Sequence, residues 1–289
     1  MSAFPTQLIM RYAIDLPNFG PYANPRTLAD LARETEDAGW DGFFIWDHIQ
    51  VGWPDTVGDP WIALTAIACA TSRIVIGPMV TPLARRRPAK VARESVSLDH
   101  LSNGRLILGV GLGTDFFGEF AKLDEAANDD RTRAAMLDEA LAILLGLWTG
   151  EEFSFEGLHH KIEKTTFLPK PLQSPRIPIW TAGTWPRKRP FRRAALFDGV
   201  FPTGADIERP LTPDEIRAIV AFIRDNRKTS APFDVVADGS TLGDSHDQDR
   251  EIIAPYEQAG AKWWVEGFLP WKTGFDAVRA RIRKGPPRA

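Results

Sequence analysis

His48 is the residue in this chain best equipped for proton chemistry. It follows Trp46-Asp47 at the end of an apolar run, and an unperturbed imidazole titrates near neutrality, so it can give or take a proton beside a reacting group. The competing reading is a histidine packed against aromatic rings and hydrogen-bonded for structure. A second candidate is Gly109-Val-Gly111-Leu-Gly113. It misses the G-x-G-x-x-G dinucleotide pattern because Thr114 stands at the last position and no helix starts at once. Glycines at a strand end can instead let a flat ring approach the backbone, or simply make a tight turn. The third candidate is Thr181-Ala182-Gly183-Thr184 followed by Pro186 and the basic run Arg187–Arg193. A Gly-containing turn leading into a helix presents N–H groups to an anion, so this is the expected phosphate site, with Gly239-Ser240 as its competitor. A solvated basic helix face is the plain alternative.

Other chemistries have little support. One cysteine, Cys69, excludes an internal disulfide and any multi-cysteine metal cluster; its apolar surroundings Trp61–Ala70 predict a buried, inert thiol. No H-E-x-x-H or G-x-S-x-G occurs, and the first strand ends in Leu16-Pro17-Asn18 without paired histidines, so no metal site is expected. With 35 basic and 38 acidic residues the formal charge is −3, which offers no general attraction to nucleic acid or anionic membranes. The N-terminal Leu8-Ile9-Met10 is too short for a signal-peptide core, and no apolar run is long enough to span a bilayer. A cytoplasmic protein is expected.

The elements that must hold these residues alternate regularly. Strand-like runs are read at Leu8–Leu16, Gly42–Trp46, Arg73–Val80, Arg105–Val110, Ile177–Thr181, Gly199–Pro202, Phe233–Ala237 and Lys262–Val265. Helix-like segments follow them at Thr27–Ala38, Pro60–Ala70, Pro88–Leu101, Arg131–Trp148, Pro186–Phe197, Pro213–Lys228, Asp247–Ala259 and Phe275–Arg283. Asn24-Pro25 supplies a cap and first turn, and Gly39 a stop. Only Glu151–Leu168 breaks the rhythm, with the alternation of a small hairpin. Eight strand–helix units over one domain of 289 residues predict an α/β fold, a (β/α)8 barrel with insertions after strand four and before strand five. An open doubly wound sheet is the alternative. Ten tryptophans, mostly near strands, are expected in the core or around a flat cavity.

Taken in order, these pieces resemble the luciferase-like family of flavin- and deazaflavin-dependent oxidoreductases. The resemblance rests on Glu36–Phe43, Trp46-Asp47-His48, Ile76–Pro82, Leu101–Gly113 and Ile179–Gly183 with Ala194–Gly199. It implies a barrel, commonly a homodimer, with FMN or coenzyme F420 across the strand ends, a small organic substrate and, in the FMN case, a separate flavin reductase. By similarity Asp47 and His48 face the ring, and Met79-Val80 form a bulge beneath it that in relatives often has a non-proline cis peptide, with Thr81 next to it at the cofactor. Gly111 and Gly113 lie close by, and Gly183, Thr184 and Lys188 hold the phosphate. Thr114 departs from the pattern, because some deazaflavin relatives carry glutamate there. The hairpin and the loop Thr114–Asp130 are expected to cover the pocket. A flavin-binding protein without activity and a metal-dependent barrel hydrolase are the alternatives.

Overall fold

The computed structural model describes residues 10–123, 129–206 and 208–288. Nine parallel strands form one sheet in the order β3-β2-β1-β11-β10-β9-β8-β5-β4. They are β1 (Arg11–Leu16), β2 (Gly42–Ile45), β3 (Val75–Pro78), β4 (Thr81–Pro82), β5 (Leu108–Gly111), β8 (Ile179–Thr184), β9 (Gly199–Thr203), β10 (Asp234–Gly239) and β11 (Trp263–Gly267). The ends of the sheet meet where Ile76 bridges Leu106 in parallel, and Ile107 N–H donates to the Ile76 carbonyl at 2.9 Å. The expected barrel is therefore the observed architecture, and the open sheet is set aside.

Helices follow the strands: α1 (Pro25–Asp37), α2 (Pro60–Ala70), α3 (Pro88–Leu101), α4 (Asp130–Trp148), α5 (Lys188–Ala194), α6 (Pro213–Asn226), α7 (His246–Gln258) and α8 (Phe275–Arg283). Their starts follow local chemistry. The Asn24 side chain accepts from Arg26 N–H with Pro25 at the first turn, and Thr212 and Glu215 make a reciprocal capping box on α6.

Alternation along each strand divides two cores. Outward residues such as Ile14, Leu16, Ile45 and Trp264 pack under the helices, while Ala13, Phe44, Trp180, Val236, Trp263 and Val265 fill the barrel. The barrel base is aromatic: Trp180 and Trp263 meet edge-on at 5.3 Å, and Phe44 lies 5.4 Å from Trp180. Rings this large need glycine opposite them, and a Cβ on Gly199 would fall 2.4 Å from Trp180.

Several expectations shift. The third strand is not continuous through Val80: it stops at Pro78, passes through a cis Met79–Val80 peptide and resumes as β4. Strand four starts at Leu108 rather than Arg105, because the Arg105 guanidinium is turned back to bond the carbonyls of Ala68, Thr71, Ile74 and Ser102. Helix α5 begins at Lys188, so Pro186, which follows a cis peptide, lies in the preceding turn. Cys69 is exposed, since helix α2 is apolar on its outer face as well as its inner one. Trp53 and Trp271 are about 40% exposed and belong to the rim, not the core. Leu8 and Ile9, and residues 124–128 of the expected covering loop, lie outside the described residues.

The hairpin forms as β6 (Glu152–Glu156) and β7 (Lys161–Thr166), antiparallel. It is pinned to α4 rather than to the strand ends: Glu139 accepts the N–H groups of Leu158, His159 and His160 at 2.8–3.0 Å.

The barrel seam gives a direct test. A Cβ on Gly77 would lie 2.0 Å from the Ile107 carbonyl oxygen, with the Phe44 ring at 3.5 Å. Gly77→Ala is expected to cost about 3 kcal/mol or more in urea unfolding. Gly274→Ala, where nothing lies within 4 Å, should stay within about 1 kcal/mol.

Candidate active site

At the carboxyl ends of the strands lies a cavity of about 590 Å³, within the range of small-molecule sites. Its wall includes Met79, Val80, Phe117, Phe201 and Val265; Asp15, Asp47, His48, Glu119 and Asp238 supply charge. Trp46, Gly113, Thr114, Gly239 and Ser240 also border it.

Asp47 is fully buried at the end of β2 and is surrounded by donors. Arg86 Nη2 approaches its carboxylate at 2.7 Å, Arg85 Nη2 at 3.2 Å, and the Thr81 hydroxyl donates to it. Arg85 Nη2 also donates to the Asp47 carbonyl at 2.6 Å, and its other nitrogen pairs with Glu119. Glu119 in turn holds His48 Nδ1 at 2.9 Å and accepts Ile49 N–H at 2.8 Å. Burial alone would raise the Glu119 carboxyl, but the His48 hydrogen bond, the charges of His48 and Arg85, and the Ile49 N–H outweigh it. The group sits below the ordinary carboxylate range.

Asn18 locks the histidine backbone from the other side. Its Oδ1 accepts His48 N–H at 3.1 Å while its Nδ2 donates to the carbonyls of His48 and Gly58 at 2.7 and 2.6 Å. The imidazole stands edge-on to Phe117 at 4.8 Å and Trp46 at 5.8 Å. Its backbone, its Nδ1 and its faces are thus held, and it remains on the cavity lining. That combination suits proton transfer at Nε2.

The glycines of β5 work differently from the expectation. A Cβ on Gly109 would meet the Pro78 carbonyl at 2.1 Å and Val80 at 3.2 Å; one on Gly111 would meet Val80 Cγ2 at 2.8 Å. Gly109 and Gly111 therefore make room for the Met79–Val80 bulge, which itself faces the cavity. Gly113 reaches the lining, with φ +72°.

Of the residues singled out from sequence, Asp47, His48, Met79, Val80 and Gly113 converge on this cavity. Thr81 stands behind Asp47. Gly111, Thr181, Ala182, Gly183, Thr184 and Lys188 are off the lining, although Thr184 Oγ1 is 3.3 Å from Thr203 Oγ1, which is on it. Lys188 Nζ lies over the Trp185 ring at 3.5 Å. The hairpin contributes no lining residue; the segments around Thr203–Pro210 and Gly267–Thr273 close the rim instead. Among the described residues no His/Cys/Asp/Glu group could hold a metal, and no helix is long and apolar enough to cross a membrane.

Sequence reading missed Arg85, Arg86, Glu119 and Asp15. Glu119 carried no motif, being five residues beyond the position where glutamate was sought. Asp15 had a legible signal, an acid at an inward position of the apolar strand Arg11–Leu16.

Arg85 is 3% exposed and serves two buried carboxylates, so its removal leaves both short of a partner. Arg85→Met is expected to lose about 3–5 kcal/mol in urea unfolding at neutral pH. Glu119 is held low in the native state, so its pairing adds stability above the ordinary carboxylate range and loses it as pH falls through the lowered native value. The gap between wild type and variant should therefore narrow in acid.

Residues 10–281 match the family described as luciferase-like monooxygenase. An F420-dependent glucose-6-phosphate dehydrogenase from Nakamurella multipartita is 32% identical over 188 residues, which are 63% of this chain and 52% of that protein. An F420-dependent hydroxymycolic acid dehydrogenase from Mycobacterium tuberculosis is 35% identical over 54% of this chain and 43% of its own. The chain thus spans about half the length of the curated relatives it matches. An F420-dependent secondary alcohol dehydrogenase solved with an F420-acetone adduct superposes with TM-score 0.77 at 16% identity, over 95% of this chain and 97% of that one. A monooxygenase from Streptomyces bottropensis gives 0.72 at 19%, over 95% and 97%. The match over residues 10–281, across the whole barrel, makes this chain a member of the luciferase-like monooxygenase family.

Proposed function

We propose that this protein is an oxidoreductase that binds a flavin-type cofactor in the strand-end cavity and acts on a small organic molecule. The observation that carries the reading is the convergence of Asp47, His48, Met79, Val80 and Gly113 on one cavity with an apolar wall. A flat heteroaromatic ring fits such a wall, and Asp15 Oδ1, buried without a partner, offers an unused polar contact on the same lining. Met79 and Val80 would support the ring's face, and Asp47 and His48 would lie at its edge. The tail would leave past Thr203 toward Gly183, Thr184 and Lys188, with Thr181 and Ala182 continuing that strand.

Coenzyme F420 is the preferred cofactor because curated relatives such as the two dehydrogenases above carry it in their names. When bound, it supplies a carbon centre that exchanges a hydride with substrate. His48 would hold or take the accompanying proton at Nε2 while Glu119 orients the ring through Nδ1. FMN, served by a separate flavin reductase, is the second reading, favoured by Thr114 at the position where some deazaflavin relatives have glutamate. Titrating apoprotein with each cofactor separately should give clearly tighter binding of F420; binding of neither would refute the proposal. His48→Ala should keep cofactor affinity and lower turnover by roughly 10²–10⁴-fold.

A homodimer is the proposed assembly, with helix α2 at its interface. This helix is apolar all round, and Ile62, 61% exposed, shares the outer face with Thr65 and Cys69. A lone exposed thiol also suits a reducing, cytoplasmic compartment. Light scattering should give twice the 32.2 kDa chain mass, and Ile62→Glu should shift it toward the monomer.

A further inference from the structure

The strand alternation that puts Trp263 inside the barrel also puts Asp15 and Asp238 there, nearer the carboxyl ends of the strands. Asp15 follows Ala13 on the inward side of β1, Asp238 follows Val236 on β10, and Val265 of β11 stands between them in register with Asp238. Both acids line the cavity. Asp15 is 5% exposed; Trp46 Nε1 donates to Oδ2 at 2.8 Å, while Oδ1 is buried and has no partner. A buried carboxyl oxygen facing a cavity without a donor invites one from a ligand.

Most of the other charges on the lining are compensated by ion pairs. Asp47 and Glu119 are served by Arg85 and Arg86. Of the cations at the rim, Arg209 is committed to both oxygens of Glu215 at 3.0 Å and Lys272 to Glu208 at 2.8 Å. At the rim Asp206 accepts Glu208 N–H at 2.9 Å. Inside the barrel Asp15 and Asp238 are the lining acids without an ion pair, and no lining lysine or arginine is unengaged among the described residues.

We infer that Asp15 and Asp238 form the substrate-reading end of the cavity, selecting a small molecule whose buried end carries a hydroxyl or amino donor and rejecting phosphorylated or carboxylated ones. This rests on the oxidoreductase reading above and specifies its substrate class. Burial raises both carboxyls, Asp238 to about 6, and the Asp238 charge raises Asp15 further; the carboxyl oxygens remain acceptors for a donor. A hydroxyl can donate to them. An ammonium gains charge attraction as well. A phosphate brings like charge into a pocket with no free cation, a cost of the size that separates partners. The sugar-phosphate substrate named for some relatives is therefore not expected here.

The test uses four probes on one skeleton: cyclohexanol, cyclohexylamine, cyclohexanecarboxylate and cyclohexyl phosphate. Each is titrated calorimetrically into apoprotein and F420-loaded protein, for wild type, Asp15→Asn, Asp238→Asn and the double variant. Wild type should bind the alcohol and amine at least about ten-fold more tightly than the two anions. Either substitution should shrink that ratio, the amine losing most. Equal binding of the anions, binding of none of the four, or a preference that survives the double substitution overturns the inference. Should a variant fail to fold, the wild-type ratio still decides. Wild-type titration with F420 and FMN in the same buffer separates the two readings: failure to bind either refutes the cofactor reading, whereas the apoprotein ratios judge the acid pair alone.

Discussion

The site depends on one buried guanidinium. Arg85 joins the Asp47 carbonyl and carboxylate at the end of β2 to Glu119 in the loop after β5, and through Glu119 it fixes His48. Removing three charged groups from water is expensive, and the two carboxylates are compensated by further donors: Thr81 and Arg86 for Asp47, Ile49 N–H and His48 for Glu119. The cost brings rigidity. A histidine fixed at its backbone by Asn18 and at its ring by Glu119 meets a ligand with little reorganisation left to do.

Beneath this clamp the barrel is plugged by Phe44, Trp180 and Trp263, so the cavity is confined to the upper layer of inward-facing side chains. That layer alternates between apolar Val265 and Phe201 and the acids Asp15 and Asp238. By contrast Glu266, one residue from Val265, faces outward and is absorbed by Arg281, Thr241 and Trp264. One-residue steps along a strand thus decide whether an acid meets the cavity or the helix layer.

The rim is built from segments with little regular structure. Glu208 accepts from Trp271 Nε1 at 3.1 Å and pairs with Lys272, which ties the segment after β9 to the segment after β11. The hairpin, by contrast, is committed to α4, where Phe153 fills the space beside Gly146. It adds to the outer layer and not to the pocket.

Much of this was legible in the chain itself. Short apolar runs, capped helices such as Asn24-Pro25, and the repeated strand–helix order determined the barrel, because these signals are local and mutually consistent. Trp46-Asp47-His48 marked the site because chemistry gathers where strands end. Other features needed three dimensions. Nothing local pairs Arg85 with a carboxylate 34 residues on, or says that Gly109 and Gly111 yield their space to Val80. The interrupted third strand, the exposed Cys69 and the hairpin's attachment to α4 likewise follow from contacts between distant segments. Sequence periodicity specifies which face of an element is buried; only closure of the barrel determines what that face meets.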